Sequence, residues 1–521
     1  MRKSLGILTC LLLIATTALT VLPVEVSADT LVLKIITPHT ESIRTEYKRA
    51  FDAYYFAKTG NHVDIQYLEY GTSEVIPVVD AAFAATNEET ARIDIWWGGG
   101  VDPFIAQKAK GHLLAYQISP TTLALIPNNI SGVPMYDKDY KWYGQALSGF
   151  GIIYNKVVIA AEGLPTPKVW QDLTDMRLKG WVGSADPSFS GSTHMVYEII
   201  VQAYGWTEGM KTATMLGANV KTWPQSSSAV PKSVTAGEVA VGLAIDFYAW
   251  AEVDKVGSAK IDYVVPEGLS VINPDSIAIL KGAPNLELAK EFVEFVMSKD
   301  GQKLLMLKKG APGGPVNLLI GRMCVMPSLY AELGNQSVVP VNPFTVKSSL
   351  KYNETLGSLR YVLLNDIIKA MIIDQQRELS AAWGEIIGVT QTLAKANVTS
   401  PKLTQAINML GSVPLTEAQT LALAANWTDP ALRNTYIAQW RTFAVQKYAN
   451  ATKLAKEAAA DVSQKITELQ NYYQGIITRL EGEKSNNLYM GLGGGLAIGL
   501  VIGVAIAYLM TRRKEIAAVK T

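Results

Sequence analysis

From Thr30 onward the chain alternates short apolar runs with longer segments whose apolar residues recur at helical spacing, and this alternation constrains its fold most. Leu31 to Ile36 suits a buried parallel strand. Glu41 to Thr59 reads as a helix with Ile43, Tyr47, Ala50, Phe51 and Tyr54 on one face. Val63 to Tyr70 is the next strand, Ser73 to Ala85 the next helix, Ile93 to Trp97 a third strand, and Asp102 to Lys110 a third helix. This order specifies a parallel sheet wrapped by helices, an α/β architecture. The same order resumes later: strands at Trp181 to Ala185, Glu238 to Ile245 and Ile261 to Pro266, with a helix ending near Tyr204. Two α/β lobes in one chain imply a cleft between them.

In such sheets ligands sit beyond the C-terminal ends of the strands. The turns there are Thr37-Pro38-His39-Thr40, Gly71-Thr72-Ser73, Gly98-Gly99-Gly100, and Asp186 through Ser190-Gly191-Ser192-Thr193. Hydroxyls, glycines and helix-starting amides donate to oxygen atoms without adding bulk, which suits a polar or anionic group. Ligand-binding candidates are therefore His39, Thr40, Gly71, Thr72, Ser73, Gly98, Gly99, Ser190, Gly191, Ser192 and Thr193, with Ser148 on the crossing between lobes. Ser226, in a serine run before a second-lobe helix from Lys232 to Ala236, joins them, as do Asp246 and Tyr248 at the end of a strand. Trp96 and Trp97 alternate across a strand, so only one can reach the cleft; Trp97, nearer the turn, is expected to do so.

Residues 30 to about 330 resemble the family 1 extracellular solute-binding proteins of ABC importers, of the iron, polyamine and sugar-phosphate type. The resemblance rests on an ordered series: the first three turns, Asp94-Ile95-Trp96-Trp97-Gly98-Gly99, Trp142-Tyr143-Gly144 to Gly151-Ile152-Ile153-Tyr154-Asn155-Lys156, Leu164-Pro165-Thr166-Pro167, and Asp186-Pro187 with Ser190-Gly191-Ser192. It implies a two-lobe type II periplasmic-binding fold that closes on a solute by a hinge, a second lobe from about 151 to 265, and ABC permease subunits as partners. The binding domain would occupy residues 29–334. Ferric-binding relatives pair two tyrosines with a histidine and a carboxylate; here His39 and Tyr248 match, with Asp246 a further ligand if iron binds, but Phe247 replaces one tyrosine. Iron would then lack anionic neutralisation, whereas the hydroxyl-rich turns suit a sugar phosphate or phosphonate, which is the preferred expectation. Ferric iron is the alternative.

The ends of the chain fix its compartment. Met1-Arg2-Lys3, the apolar stretch Leu5 to Leu22 and Val26-Ser27-Ala28 form a signal peptide, so the mature protein is expected to begin near Asp29. A retained N-terminal anchor is the weaker reading, because Thr16, Thr17 and Thr20 interrupt the apolar run. Leu488 to Met510 carries no charge and is long enough to cross about 30 Å of hydrocarbon. Arg512, Arg513 and Lys514 follow it, which puts the 511–521 tail in the cytoplasm and the binding domain outside the cell. Cys10 lies in the signal peptide, leaving Cys324 alone in the mature chain, so no internal disulfide can form and a buried apolar role is expected. Six Asn-x-Ser/Thr sequons, at Asn129, Asn335, Asn353, Asn397, Asn426 and Asn450, mark a glycosylated surface protein. A net charge of +1 gives no electrostatic reason to expect nucleic acid as a partner.

Residues 335–487 read as a helical extension and stalk. Leu356 to about Ala396 is one apolar-periodic segment, Thr416 with Gln419 forms a capping box, and Pro430 begins a further helix. From Ile437 to Leu480 apolar residues recur every three or four positions; one continuous helix there would span about 65 Å. It would either lift the binding domain off the membrane, self-associating along its seam, or pack its first half on the first lobe. With four histidines, none in a metalloprotease spacing, and neither a P-loop nor a Gly-x-Ser-x-Gly elbow, no enzymatic activity and no cofactor are expected. A cleft enzyme and a structural surface protein are the less favoured classes.

Overall fold

The structure is a computed structural model and describes residues 30–85, 91–346 and 350–486. The expected signal peptide, the apolar span 488–510 and the 511–521 tail lie outside the described residues; among those described, no helix is long and apolar enough to cross a membrane.

The first lobe grows from β1 (Thr30–Thr37), flanked in parallel by β2 (His62–Glu69) and β3 (Ile95–Trp97). Helices α1 (Glu41–Thr59), α2 (Thr72–Ala84) and α3 (Val101–Ala109) follow these strands in turn. Because β1 is paired on both edges, with helices packed over it, Leu33, Ile35 and Ile36 are wholly buried, while Lys34 between them is exposed. Helix α1 buries Ile43, Tyr47 and Phe51, the last with its ring 5.1 Å from that of Phe292.

The lobes meet on one long strand, β4 (Tyr143–Asn155). The second lobe contributes β5 (Val182–Gly183), α4 (Gly191–Tyr204), α5 (Trp206–Asn219), β6 (Val220–Thr222), β7 (Val241–Ile245), α6 (Asp246–Val256) and β8 (Ile261–Val264), and the chain returns through β9 (Ile272–Ile279) and α7 (Leu286–Met297). Tyr143 to Gly149 of β4 pairs antiparallel with β9, and from Phe150 onward β4 pairs antiparallel with β7. The strand order is β2-β1-β3-β9-β4-β7-β5-β6, with β8 also on β4. This is a mixed α/β sheet with helices on it, and β4 is the shared strand about which two lobes are laid out.

The apolar-periodic segment from Leu356 to about Ala396 is three pieces. Helix α8 (Glu354–Ile368) passes into a π-helical turn, Lys369–Ile373, which ends with Asp374 N–H donating to the Lys369 carbonyl at 2.8 Å, before α9 (Gln376–Lys395). The extra residue in that turn lets Lys369 reach Asp186 at 2.8 Å. Helix α10 (Pro401–Gly411) had no counterpart in the sequence reading, whereas α11 (Glu417–Ala424) carries the Thr416–Gln419 capping box, with Gln419 N–H donating to Thr416 Oγ1 at 3.3 Å.

Helix α12 (Pro430–Asn486) is continuous over 57 residues, about 85 Å. The expectation that its first half packs on the first lobe is corrected: it lies on α9, α10 and the π turn, with Trp440, Ala444, Tyr448, Ala451, Ala455 and Ala458 buried. The alanines allow close approach, and Tyr448 donates to the Met371 carbonyl at 2.7 Å. Beyond Val462 the helix leaves the body, and Leu469, Tyr472 and Tyr473 are exposed. All six sequon asparagines are exposed. Cys324 is buried, its Sγ–H donating to the Met326 carbonyl at 3.3 Å, and burial pushes the thiol up to about 12.

Candidate functional site

The helix starts that follow the strands converge on one cavity of about 380 Å³ between the lobes. Thr40, Gly71, Thr72 and Gly99 reach it from the first lobe, at the starts of α1, α2 and α3; Ser190, Gly191 and Ser192 reach it from the second, at the start of α4. The positive ends of these helices therefore face a common space. The lobes touch around it: Ser73 Oγ donates to the Pro187 carbonyl at 2.8 Å. A Cβ at Gly71 would collide with the Phe189 carbonyl, and one at Gly191 would collide with Thr72. Glycine at these two positions allows the closed approach.

The floor of the cavity holds a buried charged group. Asp275 on β9 accepts from His39 Nε2 at 2.9 Å, from Gln145 at 3.1 Å, from the Gly99 amide and from Arg322. Arg322, 2% exposed, also donates to Ser148 Oγ at 2.9 Å and stacks 4.5 Å from the centre of the Phe247 ring. Its Nε has no hydrogen-bond partner among the described residues. Although burial opposes its charge, the neighbouring Arg322 and His39 hold Asp275 well below the usual carboxylate range. Burial lowers His39, which outweighs Asp275 and leaves the imidazole neutral near pH 7. Glu69 and Glu74 stand at the first-lobe edge, Glu69 paired with Arg44 and Glu74 accepting from the Gly71 amide at 3.0 Å.

Of the sequence candidates, His39, Thr40, Gly71, Thr72, Gly99, Ser148, Ser190, Gly191, Ser192, Ser226 and Tyr248 line this cavity. Five do not. Trp97 is wholly buried among His39, Tyr47 and Phe292, and Trp96 is wholly buried against Phe104; a strand covered on both faces sends neither ring to the cleft. Gly98 lies behind the His39 ring, where a Cβ would meet Nε2 at 2.8 Å. Ser73 is spent on Pro187, and Thr193 turns back to donate to Ser190 Oγ at 3.1 Å. Asp246 sits beneath the crossing, accepting from the Gly149 amide at 2.6 Å and the Phe247 amide at 2.7 Å.

Residues that the sequence reading did not choose complete the wall: Arg322, Asp275, Asn273, Phe247, His194, Ser227 and, from the helical extension, Tyr361. Ser227 extends the hydroxyl chain by bonding Ser192 Oγ at 2.7 Å. Arg322 had one legible sign, a lone charge at the head of the apolar run Met323-Cys324-Val325-Met326.

Burial raises Asp246 to about 7, against 3.8 for an ordinary aspartate, the amide bonds offsetting this only in part. Between these values the folded protein holds a proton that the unfolded chain has lost, so this group's contribution to stability falls as pH rises from about 4 to about 7. His194, lowered to about 4 by burial, acts in the opposite sense over an overlapping range. The signal is therefore the difference between wild type and Asp246→Asn: denaturation from pH 4 to 8 is expected to show the variant gaining relative stability as pH rises, and a constant difference would contradict the assignment.

Residues 93–319 match the family model for bacterial extracellular solute-binding proteins. An uncharacterized protein of Haemophilus influenzae is 28% identical over 257 residues, 49% of this chain and 70% of that protein. The phosphoglycerate transport regulatory protein PgtC of Salmonella typhimurium is 30% identical over 160 residues, 31% of this chain and 39% of its own length, so the chain spans well under half of that relative. Among solved structures, the periplasmic binding protein AfuA of Actinobacillus pleuropneumoniae, with fructose-6-phosphate bound, superposes with a TM-score of 0.54 at 21% identity, covering 66% of this chain and 99% of that one. Residues 93–319 thus match a solute-binding family model, and the two-lobe region shares the fold of a periplasmic binding protein.

Proposed function

We propose that this chain is the solute-binding component of an ABC importer and that its solute carries an oxyanion, such as a sugar phosphate or phosphonate. The observation that carries the reading is Arg322: a nearly inaccessible guanidinium in the cavity wall, facing space that helix starts and the hydroxyls of Thr72, Ser190 and Ser192 also border. Such a site supplies donors and positive potential and little bulk. One of the related proteins is named for phosphoglycerate transport, and another, AfuA, is solved with exogenous fructose-6-phosphate bound. Ferric iron fits less well. His39 and Tyr248 both line the cavity, but Phe247, stacked on Arg322, stands where a second tyrosine ligand would be needed.

In this reading the signal peptide exports the chain, the span 488–510 holds it at the outer face of the membrane, α12 sets the body off from that span, and the sequons are glycosylated. Residues 29–334 form the binding domain, with its second lobe from about 151 to 265. The test is mass spectrometry of ligand carried through native purification, followed by a thermal-shift panel of inorganic phosphate, fructose 6-phosphate, methylphosphonate and ferric citrate. A phosphate or phosphonate at 100 times its Kd is expected to stabilise by about 2.7 kcal/mol. Stabilisation by ferric ion alone, abolished by Tyr248→Phe, would overturn the proposal.

A further inference from the structure

The extension also reaches the cavity. Helix α8 lies across both lobes, packing on α3 of the first and α4 of the second, and places Tyr361 in the cavity wall. The Tyr361 ring stacks 3.6 Å from that of His194, which lines the same cavity and is 1% exposed. His194 Nδ1 lies 2.7 Å from Asn365 Oδ1.

The hydrogen bonds fix which nitrogen carries the proton. Ser73 has one hydroxyl proton, given to the Pro187 carbonyl at 2.8 Å, so toward Tyr361 Oη at 3.1 Å and Asn365 Nδ2 at 3.5 Å it can only accept. Asn365 therefore turns its amide nitrogen to Ser73 and its oxygen to His194, and His194 Nδ1 must be the donor. Nε2 of the neutral ring is left with a bare lone pair, and it has no hydrogen-bond partner among the described residues. Burial keeps this ring neutral at physiological pH. A buried acceptor without a partner is costly, and a donor in the cavity would relieve that cost.

We infer that the helical extension forms a third wall of the cavity and that His194, positioned by Asn365 and Tyr361, reads a hydroxyl group of the solute. This rests on the solute-binding reading above and extends it: the ligand is a hydroxylated phosphate ester or phosphonate, bearing an anionic group for the donor-rich wall and a hydroxyl donor for Nε2. A bare oxyanion leaves that nitrogen unpaired.

The experiment is calorimetric titration of the full chain with fructose 6-phosphate and with methyl phosphate, which lacks hydroxyls, for wild type, His194→Phe and Asn365→Leu. Wild type is expected to prefer fructose 6-phosphate, and both variants to lose about 10-fold or more of that preference, the loss of one buried hydrogen bond. Nitrogen-15 spectra of histidine-labelled wild type provide a readout that a purely structural role would leave unmoved. One unprotonated ring nitrogen should shift on adding fructose 6-phosphate and not on adding methyl phosphate. This spectrum decides the matter even if a variant fails to fold. An unchanged preference in folded variants, or an unmoved resonance with ligand bound, overturns the hydroxyl reader alone; failure of wild type to bind either ester overturns the oxyanion reading and this inference with it.

Discussion

Arg360→Met is expected to destabilise the protein by about 3–5 kcal/mol, the usual consequence of removing one partner from a fully buried ion pair. The side chains of Arg360 on α8 and Glu198 on α4 are both wholly buried. Glu198 Oε1 accepts from Arg360 Nη2 at 2.7 Å and from Gln202 at 2.7 Å, and Arg360 Nε bonds both carboxylate oxygens at 3.1 Å. Without the guanidinium the carboxylate is left buried with only Gln202 as donor. The half-exposed Glu417, 2.8 Å from Arg360 Nη1, can turn to water and adds little. A double variant, Arg360→Met with Glu198→Leu, is expected to recover most of the loss, because no charge then remains buried. Urea denaturation of the three proteins checks this. A loss below about 1 kcal/mol in Arg360→Met would contradict the burial of the pair.

Arg322→Gln is expected to lower affinity for a phosphate ester by about 30-fold or more, since truncating a buried charged contact costs about 2–5 kcal/mol and each decade is about 1.4 kcal/mol. Glutamine is chosen because it can still donate to Asp275, which keeps donors from His39, Gln145 and Gly99. The fold is therefore expected to persist while the cavity loses the guanidinium and its charge-assisted donors. Affinity unchanged by the substitution would show that the helix starts and hydroxyls hold the solute unaided.

The lobes were legible because periodicity reports burial locally: β1 reads as an apolar segment broken only by the exposed Lys34, and α1 shows Ile43, Tyr47 and Phe51 on one face because that face is buried. The turns were legible because helix starts favour hydroxyl and glycine residues at fixed offsets, as at Ser190 and Thr416. What did not show were contacts between segments distant in sequence. Asp275 gathers donors from positions 39, 99, 145 and 322, and no local pattern announces that meeting. Trp97 was placed in the cleft by strand alternation, which assumes one open face, whereas helices cover both. The break at Lys369–Ile373 was hidden because a π turn preserves an apolar pattern while adding a residue to the turn.

The central claim is that the interlobe cavity holds an oxyanion-bearing solute against Arg322. It is tested most directly by calorimetric titration of natively purified wild type and Arg322→Gln with the ester that mass spectrometry identifies, fructose 6-phosphate serving as the reference probe, and separately with ferric citrate. One-site binding of the ester to wild type, weakened about 30-fold or more in the variant, with no ferric binding, is the expected result. One-site ferric binding to both proteins, with no heat from any phosphate or phosphonate, would contradict it.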